Sequence, residues 1–114
     1  AVKNNANRTV IHEDTRAYPF TINVTFRGSC LFRYKSDRQD YVEGYYKSGE
    51  LVTITSNNGT RLWMSNINAL KIHVIAGLSS YDLEVGRAGE VQAEDIKWVR
   101  DSDGKYRLVV LELD

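Results

Sequence analysis

Cysteine, proline and methionine are almost absent from this sequence, which has one of each in 114 residues. A single cysteine, Cys30, excludes an intramolecular disulfide, and its apolar neighbours in the run CLF favour a small buried side chain over a reactive thiol. The sequence also lacks an apolar run long enough to span a bilayer, and it lacks the pattern of a signal peptide. Because the chain begins AVKNNANRTV, without methionine, we expect it to be a fragment of a longer protein.

An excess of charge of either sign is also missing. Fifteen basic and fifteen acidic residues give a formal net charge of zero. Proteins that bind nucleic acid or anionic membrane surfaces usually present a basic patch, and this composition gives no sign of one. Nucleic acid is therefore not an expected partner.

The length of 114 residues is that of one domain, and it is sufficient to bury a hydrophobic core.

Residues for catalysis or metal binding are sparse. His12 and His73 are the only histidines, and they stand far apart, so neither a metal cluster nor a nucleophile with an adjacent base can be placed. The run DSDG at residues 101–104 resembles the start of a calcium loop, but its later ligands are missing, which makes a turn the better interpretation. The acidic side chains that could form catalytic pairs are expected to be solvated; they are Glu43, Glu50, Glu84, Glu90 and Glu94. We therefore expect a non-enzymatic protein with no cofactor and no metal.

What the sequence does contain is short runs in which apolar and polar residues alternate, separated by turn-forming residues. Alternation with a period of two is typical of half-buried strands. The predicted strands are 21–26, 30–35, 41–46, 50–55, 61–64, 70–75, 80–85, 92–99 and 105–113. This pattern predicts an all-β fold, an antiparallel β-sandwich of about seven to nine short strands with an Ig-like appearance and little or no helix. Residues 1–17 are predicted to be a linker or frayed N-terminal segment, and residues 18–114 a single domain.

Three segments carry finer predictions. Asn58-Gly59 predicts a type I′ hairpin turn, because that turn needs positive φ at both central residues, and residues 101–104 predict a second turn. The last strand is apolar on both faces, which indicates a central or partner-covered position. Residues 93–96 could form a helical turn within a segment that otherwise predicts a strand.

The stretch LWMSNINALKIHV, residues 62–74, interrupts two apolar runs with polar residues. We interpret it as two strands joined at a corner, where asparagine side chains cap the backbone and tolerate positive φ. Asn66 is predicted to be the structural residue of this corner.

Aromatic residues are the best candidates for a binding surface. Tyr45 and Tyr46 are adjacent in a predicted strand, so they must point to opposite sides of the sheet. We therefore expect one of the two to be exposed or at a partner contact. With Trp63 they are the candidate residues for binding a sugar or a peptide. Cross-strand aromatic packing is the alternative.

Four motifs occur in an order that resembles the C-terminal extracytoplasmic domain of RodZ and RodZ-like bacterial cell-shape proteins. They are GSCLFRYKSD, YVEGYYKSGE, RLWMSNINALKIHVIAG and YDLEVGRAGEV, within residues 20–96. In the family they correspond to a strand that ends in Asp, a strand followed by a Gly-Glu turn, a Gly-Asn-Ala corner and a Gly-x-x-Gly segment. Cys30 stands where the family commonly has tryptophan, and Ser65 where it has glycine. Residues 97–114 extend beyond the resemblance as an added or replaced final hairpin.

The resemblance implies a scaffold role without catalytic residues. RodZ-type proteins join a cytoplasmic helix-turn-helix domain, which contacts the actin-like MreB, to one transmembrane helix and this outer domain, whose biochemical activity is unknown. A periplasmic or equivalent location is thus expected, as part of a single-pass inner-membrane protein. Expected partners are envelope or elongation-machinery proteins or cell-wall components, with the membrane reached only through an upstream helix. The alternative is a carbohydrate- or cell-wall-binding β-sandwich module.

Overall fold

The computed structural model describes residues 8–83 and 92–113, and most of them lie in strands. The strands are β1 (Arg8–Asp14), β2 (Phe20–Phe26), β3 (Cys30–Ser36), β4 (Val42–Tyr46), β5 (Leu51–Ser56), β6 (Gly59–Met64), β7 (Leu70–Ala76), β8 (Ser79–Leu83), β9 (Gln92–Arg100) and β10 (Tyr106–Leu113). Within those ranges a 3-10 helix of three residues, Ile67–Ala69, is the one helical element. Strands β2 to β10 correspond to the nine predicted strands. Glu84 and Val85, at the end of the predicted strand 80–85, lie outside the described residues.

The strands form two antiparallel sheets that pack against each other. Sheet A has six strands in the order β1-β10-β9-β6-β3-β4, and sheet B has four in the order β5-β2-β7-β8. One cluster of buried apolar side chains draws on both sheets, as expected for two sheets packed face to face. The predicted all-β sandwich is confirmed.

The core follows from the alternation in the central strands. In β2 the side chains of Phe20, Ile22, Val24 and Phe26 are buried, whereas the residues between them are not. Strand β7 repeats the pattern beside it, so the inner face of sheet B is continuous and apolar. Each such side chain, fully buried, stabilises the fold by about 1.5–3 kcal/mol.

Strand β10 is apolar on both faces because it lies inside sheet A, between β1 and β9. Leu108 and Val110 join the core cluster, and Val109, which points to the other side, is also fully buried. The central position predicted for this strand is confirmed.

The linker predicted for residues 1–17 is wrong for residues 8–14, which form β1 and pair with β10. The register shifts between Val10 and His12, which is the mark of a β-bulge. A bulge inserts one extra residue and breaks the period-two alternation. The sequence of β1 therefore lacks the pattern that predicts a strand. Residues 1–7 lie outside the described residues.

The type I′ hairpin predicted at Asn58-Gly59 is also wrong. Strands β5 and β6 belong to different sheets, and neither residue has a positive φ. The segment carries the chain from sheet B to sheet A, and it is held there by the carboxylate of Asp37. Asp37 itself is the one non-glycine residue with positive φ (+51°) in the described ranges.

The two predictions around β9 have opposite outcomes. Residues 93–96 form no helical turn, because β9 is paired on both sides, with β6 and with β10. Residues 101–104 do form the predicted turn of the β9–β10 hairpin. There the amide of Gly104, at φ +83°, donates to the carbonyl of Asp101 at 2.9 Å.

Candidate functional site

The side of sheet A that faces away from sheet B carries a regular array of side chains from β4, β3 and β6. Pairing places Glu43, Arg33 and Trp63 side by side across the three strands. Two residues further along, Lys35 lies opposite Arg61. Buried residues such as Phe32 and Leu62 alternate with them, so this array forms the outer face of sheet A.

The adjacent tyrosines of β4 point to opposite sides, as the alternation predicts. The side chain of Tyr45 is 64% exposed on the outer face. Tyr46 turns inward and stacks on Phe26, with ring centroids 4.6 Å apart and planes within 9°. Burial raises the pKa of the Tyr46 hydroxyl. Of the three predicted binding residues, the structure therefore brings Tyr45 and Trp63 to one face and places Tyr46 against the core.

Trp63 is the centre of an aromatic and cationic cluster. Its ring lies 5.0 Å from that of Tyr41, which is 52% exposed. The guanidinium carbons of Arg33 and Arg61 lie over the indole, 5.5 and 5.9 Å from the ring centroid. Cation–π contacts of this kind contribute about 0.5–1 kcal/mol at exposed sites.

Ion pairs fix both arginines in place. Arg33 donates from two nitrogens to Oε1 of Glu43, at 3.0 and 2.9 Å. Arg61 makes a bidentate pair with Asp95 on β9, at 2.7 and 2.9 Å, and the hydrogen bond to Asp95 raises the pKa of Arg61. The guanidinium groups are thus positioned by carboxylates on the neighbouring strands β4 and β9.

Two hollows lie on either side of this cluster. One, of about 240 Å³, is lined by Leu31, Arg33, Glu43, Trp63, Met64 and Ser65 and is called here the apolar hollow. The other, of about 300 Å³, includes Lys35, Tyr41, Gly59, Arg61, Asp95 and Lys97 in its lining and is called the cationic hollow.

The predicted corner carries the chain from β6 in sheet A to β7 in sheet B. Oδ1 of Asn66 accepts a hydrogen bond from the backbone amide of Asn68 at 3.3 Å, so the predicted side-chain cap is confirmed. The φ of Asn66 is −146°, however, and the positive φ predicted for the corner is wrong. Ser65 anchors the corner to β3, because its Oγ accepts from the amide of Leu31 at 2.9 Å.

The histidines have local partners. The ring of His12 bridges the hydroxyl groups of Tyr81 and Tyr18, each at 2.7 Å, and His73 pairs with Asp82 at 2.7 Å. Residues 8–83 and 92–113 contain no group of three or more His, Cys, Asp or Glu side chains arranged to hold a metal ion. The same ranges contain no helix long and apolar enough to cross a membrane.

Of the acidic residues expected to be solvated, Glu84 and Glu90 lie outside the described residues, and Glu94 is buried. Glu94 points into the sandwich, is 2% exposed, and its Oε2 has no hydrogen-bond partner in the part of the chain that is described. Burial, with the nearby charge of Glu112, raises its pKa to about 7. The burial of Glu94 could have been predicted from the sequence, because in a strand this residue shares a face with the apolar residues Ile96 and Trp98.

The array on the outer face went unrecognised in the sequence for a different reason. Arg33 and Lys35 share a strand face, as do Arg61 and Trp63, and that much is visible in the runs LFRYK and RLW. Their meeting depends on β3 pairing with β6, which are separated by two other strands, and on the register of that pairing. Strand order and register are properties of the whole sheet.

Comparisons with protein-family models, with curated proteins and with solved structures find no match to this chain.

Proposed function

We propose that this chain is a non-enzymatic interaction domain of a RodZ-like bacterial cell-shape protein. In this proposal it lies outside the cytoplasm, is joined to the inner membrane by a helix elsewhere in the protein, and binds envelope or elongation-machinery proteins. The proposal is supported by the four ordered motifs and by the structural roles of the residues in them.

Residues of three of the motifs have roles at bends of the chain. Asp37 binds the amides of the crossing from β5 to β6. Gly49, at φ +92°, donates its amide to the carbonyl of Phe26 at 2.8 Å, which ties the β4–β5 turn to β2. Asn66 caps the corner, and Gly77 lies at φ +61° in the β7–β8 turn. The fourth motif, YDLEVGRAGEV, falls largely on residues outside the described ranges.

The observation that carries the binding function is the exposed cluster around Trp63. Three side chains expose about half or more of their surface: Tyr41 just before β4 at 52%, Tyr45 on β4 at 64%, and Leu31 on β3 at 45%. Exposed aromatic and arginine side chains gathered at one place are typical of contact surfaces.

Carbohydrate binding is the second candidate, and the exposed rings of Tyr41 and Tyr45, together with the half-buried ring of Trp63, favour it. A sugar usually stacks on an open aromatic face, however, and here the guanidinium groups of Arg33 and Arg61 already lie over the indole. The cluster therefore fits a protein partner better. A titration with peptidoglycan fragments that shifts the signals of Tyr45 and Trp63 would favour the carbohydrate.

The proposed function is tested in the organism that encodes the chain. We expect its full reading frame to contain a transmembrane segment and a cytoplasmic helix-turn-helix domain. We also expect the double substitution Tyr45→Ser with Trp63→Ala to alter cell shape at normal protein levels. The matched control is Lys71→Ala on the exposed outer face of sheet B, which should leave cell shape unchanged. A reading frame without a membrane segment, or normal cells carrying the double substitution, would contradict the proposal.

A further inference from the structure

The apolar hollow offers a place for a large apolar side chain. Leu31, 45% exposed, and Trp63 contribute to its wall, with Met64 beneath. Apolar surface left in contact with water is stabilised when a partner covers it, by about 25 cal/mol per Å². Ser65 Oγ at its rim already accepts from the amide of Leu31, so the rim is held in place.

The cationic hollow has an excess of positive charge. Of its acids, Asp95 is engaged by Arg61, and Asp37 is engaged by backbone amides. No carboxylate within the described ranges comes within ion-pair distance of Lys35 or Lys97. The ammonium of Lys35 instead lies 5.2 Å from the Tyr41 ring centroid. The positive charges of Lys35 and Lys97 around this hollow are complementary to a carboxylate that a partner would supply.

Gly59 helps to keep this hollow open. A Cβ atom at this position would lie 2.8 Å from Cβ of Lys97, so no larger residue fits without displacing the lysine stem. The backbone of β6 therefore forms part of the floor, between Lys35 on one side and Lys97 on the other.

The spacing of the hollows matches an extended chain. Leu31 in the apolar hollow and Lys35 in the cationic hollow are four residues apart on β3, which is roughly 13 Å at the rise of a strand. An extended segment lying along β3 would place every second side chain on the sheet. Its residues i and i+4 would reach the two hollows, whereas residues i and i+3 would point in opposite directions.

We infer that the outer face of sheet A binds an extended segment of a protein partner, one that carries a large apolar side chain and a carboxylate four residues apart. The apolar side chain fills the hollow beside Leu31 and Trp63, and the carboxylate lies between Lys35 and Lys97. This inference rests on the proposed function as an interaction domain and adds the chemistry of the partner.

The first experiment uses the 114-residue chain and synthetic nine-residue peptides rich in threonine, which favours extended structure. The probe peptides carry Leu and Asp four residues apart, in either order. Matched controls replace Asp by Asn, replace Leu by Ser, or place the two residues three apart. We expect one probe peptide to shift the amide signals of β3 and β6 and the indole signal of Trp63. Each control should bind at least about tenfold more weakly, which is about 1.4 kcal/mol. Equal binding of the controls, or no binding at millimolar peptide, would overturn the inference.

A charge exchange locates the carboxylate. The double substitution Lys35→Glu with Lys97→Glu should abolish binding of the Asp peptide and permit binding of a peptide with Lys in place of Asp. The control Lys71→Glu lies on the outer face of sheet B and should change neither result. If the double substitution leaves Asp-peptide affinity unchanged, the carboxylate does not lie between these lysines and the inference fails.

A parallel titration with peptidoglycan fragments separates this inference from the proposed function. If fragments shift the Trp63 indole and the peptides do not, the face binds glycan and the inference fails, while a role in the cell envelope stands. If peptides and fragments both fail but the substitutions at Tyr45 and Trp63 alter cell shape, the inference also fails and the interaction function stands. If those substitutions also leave cells normal, both fail.

Discussion

The carboxylate of Asp37 holds the segment in which the sequence predicts a hairpin turn. It accepts hydrogen bonds from the backbone amides of Asn57, Asn58 and Gly59 at 2.9, 2.8 and 3.1 Å. Burial alone would raise the pKa of Asp37, but the three amides outweigh it and hold the pKa below its usual value. One side chain thus satisfies the backbone donors that a crossing between sheets leaves unpaired.

Replacing Asp37 with asparagine tests this role. Asparagine tolerates the positive φ at this position but offers a neutral oxygen, so the substitution isolates the charge. We expect the free energy of unfolding to fall by about 1.5–3 kcal/mol, the range for hydrogen bonds to charged groups. Urea titration measures it, with Asp40→Asn, an exposed residue nearby, as the control. If Asp37→Asn lowers the free energy of unfolding no more than the control does, the three amides form equivalent hydrogen bonds with water, and the charge of Asp37 does not stabilise the crossing.

The buried carboxyl of Glu94 predicts an unusual dependence of stability on pH. Its pKa is raised from 4.5 to about 7 in the folded protein, chiefly by burial. The folded state therefore keeps a proton that the unfolded state releases, and the contribution to stability is complete below about pH 4.5 and is lost as the pH rises through about 7. The loss is on the order of 3 kcal/mol.

Glu94→Gln removes this titration while keeping the size of the side chain. We expect the variant and the parent to unfold with similar free energies at about pH 5, and the variant to be the more stable at about pH 8. The carboxylates whose pKa values are lowered, such as Asp37 and Asp103, titrate below this window. Urea unfolding across the pH range measures the difference. A constant difference between the two proteins would show that Glu94 does not titrate there.

At the scale of elements, the sequence predicted the individual strands from their alternation, but it did not predict which strands pair with each other. The inward faces of β2 and β7 follow directly from the order of their residues. Strand β1 was missed because its bulge breaks the alternation by which the other strands were predicted. The hairpin predicted at Asn58-Gly59 is wrong because the flanking strands belong to different sheets. The local preference of these two residues for a tight turn is weaker than that tertiary placement.

A substitution in the corner between β6 and β7 distinguishes a structural role of this segment from a binding role. Asn66→Ala removes the cap of the 3-10 helix and should lower the free energy of unfolding by about 1 kcal/mol. Peptide affinity at the outer face of sheet A should not change, because Asn66 lines neither hollow. Thermal melting and the peptide titration measure the two effects, and Asn66→Asp, which retains an accepting oxygen, is the control. Reduced affinity at an unchanged melting temperature would make the corner a binding site.

At the scale of the whole molecule, the chain passes between the two sheets six times along the described order of strands. Sheet A takes β1, β3, β4, β6, β9 and β10, and sheet B takes β2, β5, β7 and β8. Neither sheet is a continuous piece of chain, and the inner face of each needs the other to bury its apolar side chains. This arrangement leaves no part of the sandwich that could fold by itself.

Unfolding is therefore expected to be a single cooperative transition. Trp98, packed in the core and tied to the carbonyl of Tyr18 by its indole nitrogen at 2.8 Å, reports on the interior, whereas Trp63 reports on the outer face of sheet A. Fluorescence of the variants Trp63→Phe and Trp98→Phe, each compared with its own far-ultraviolet circular dichroism, should give coincident urea transitions. Amides of β2 and β9, in the middle of different sheets, should exchange hydrogen with the same free energy of opening. Earlier loss of one sheet's protection would show that the sheets unfold separately, in spite of the alternating path of the chain.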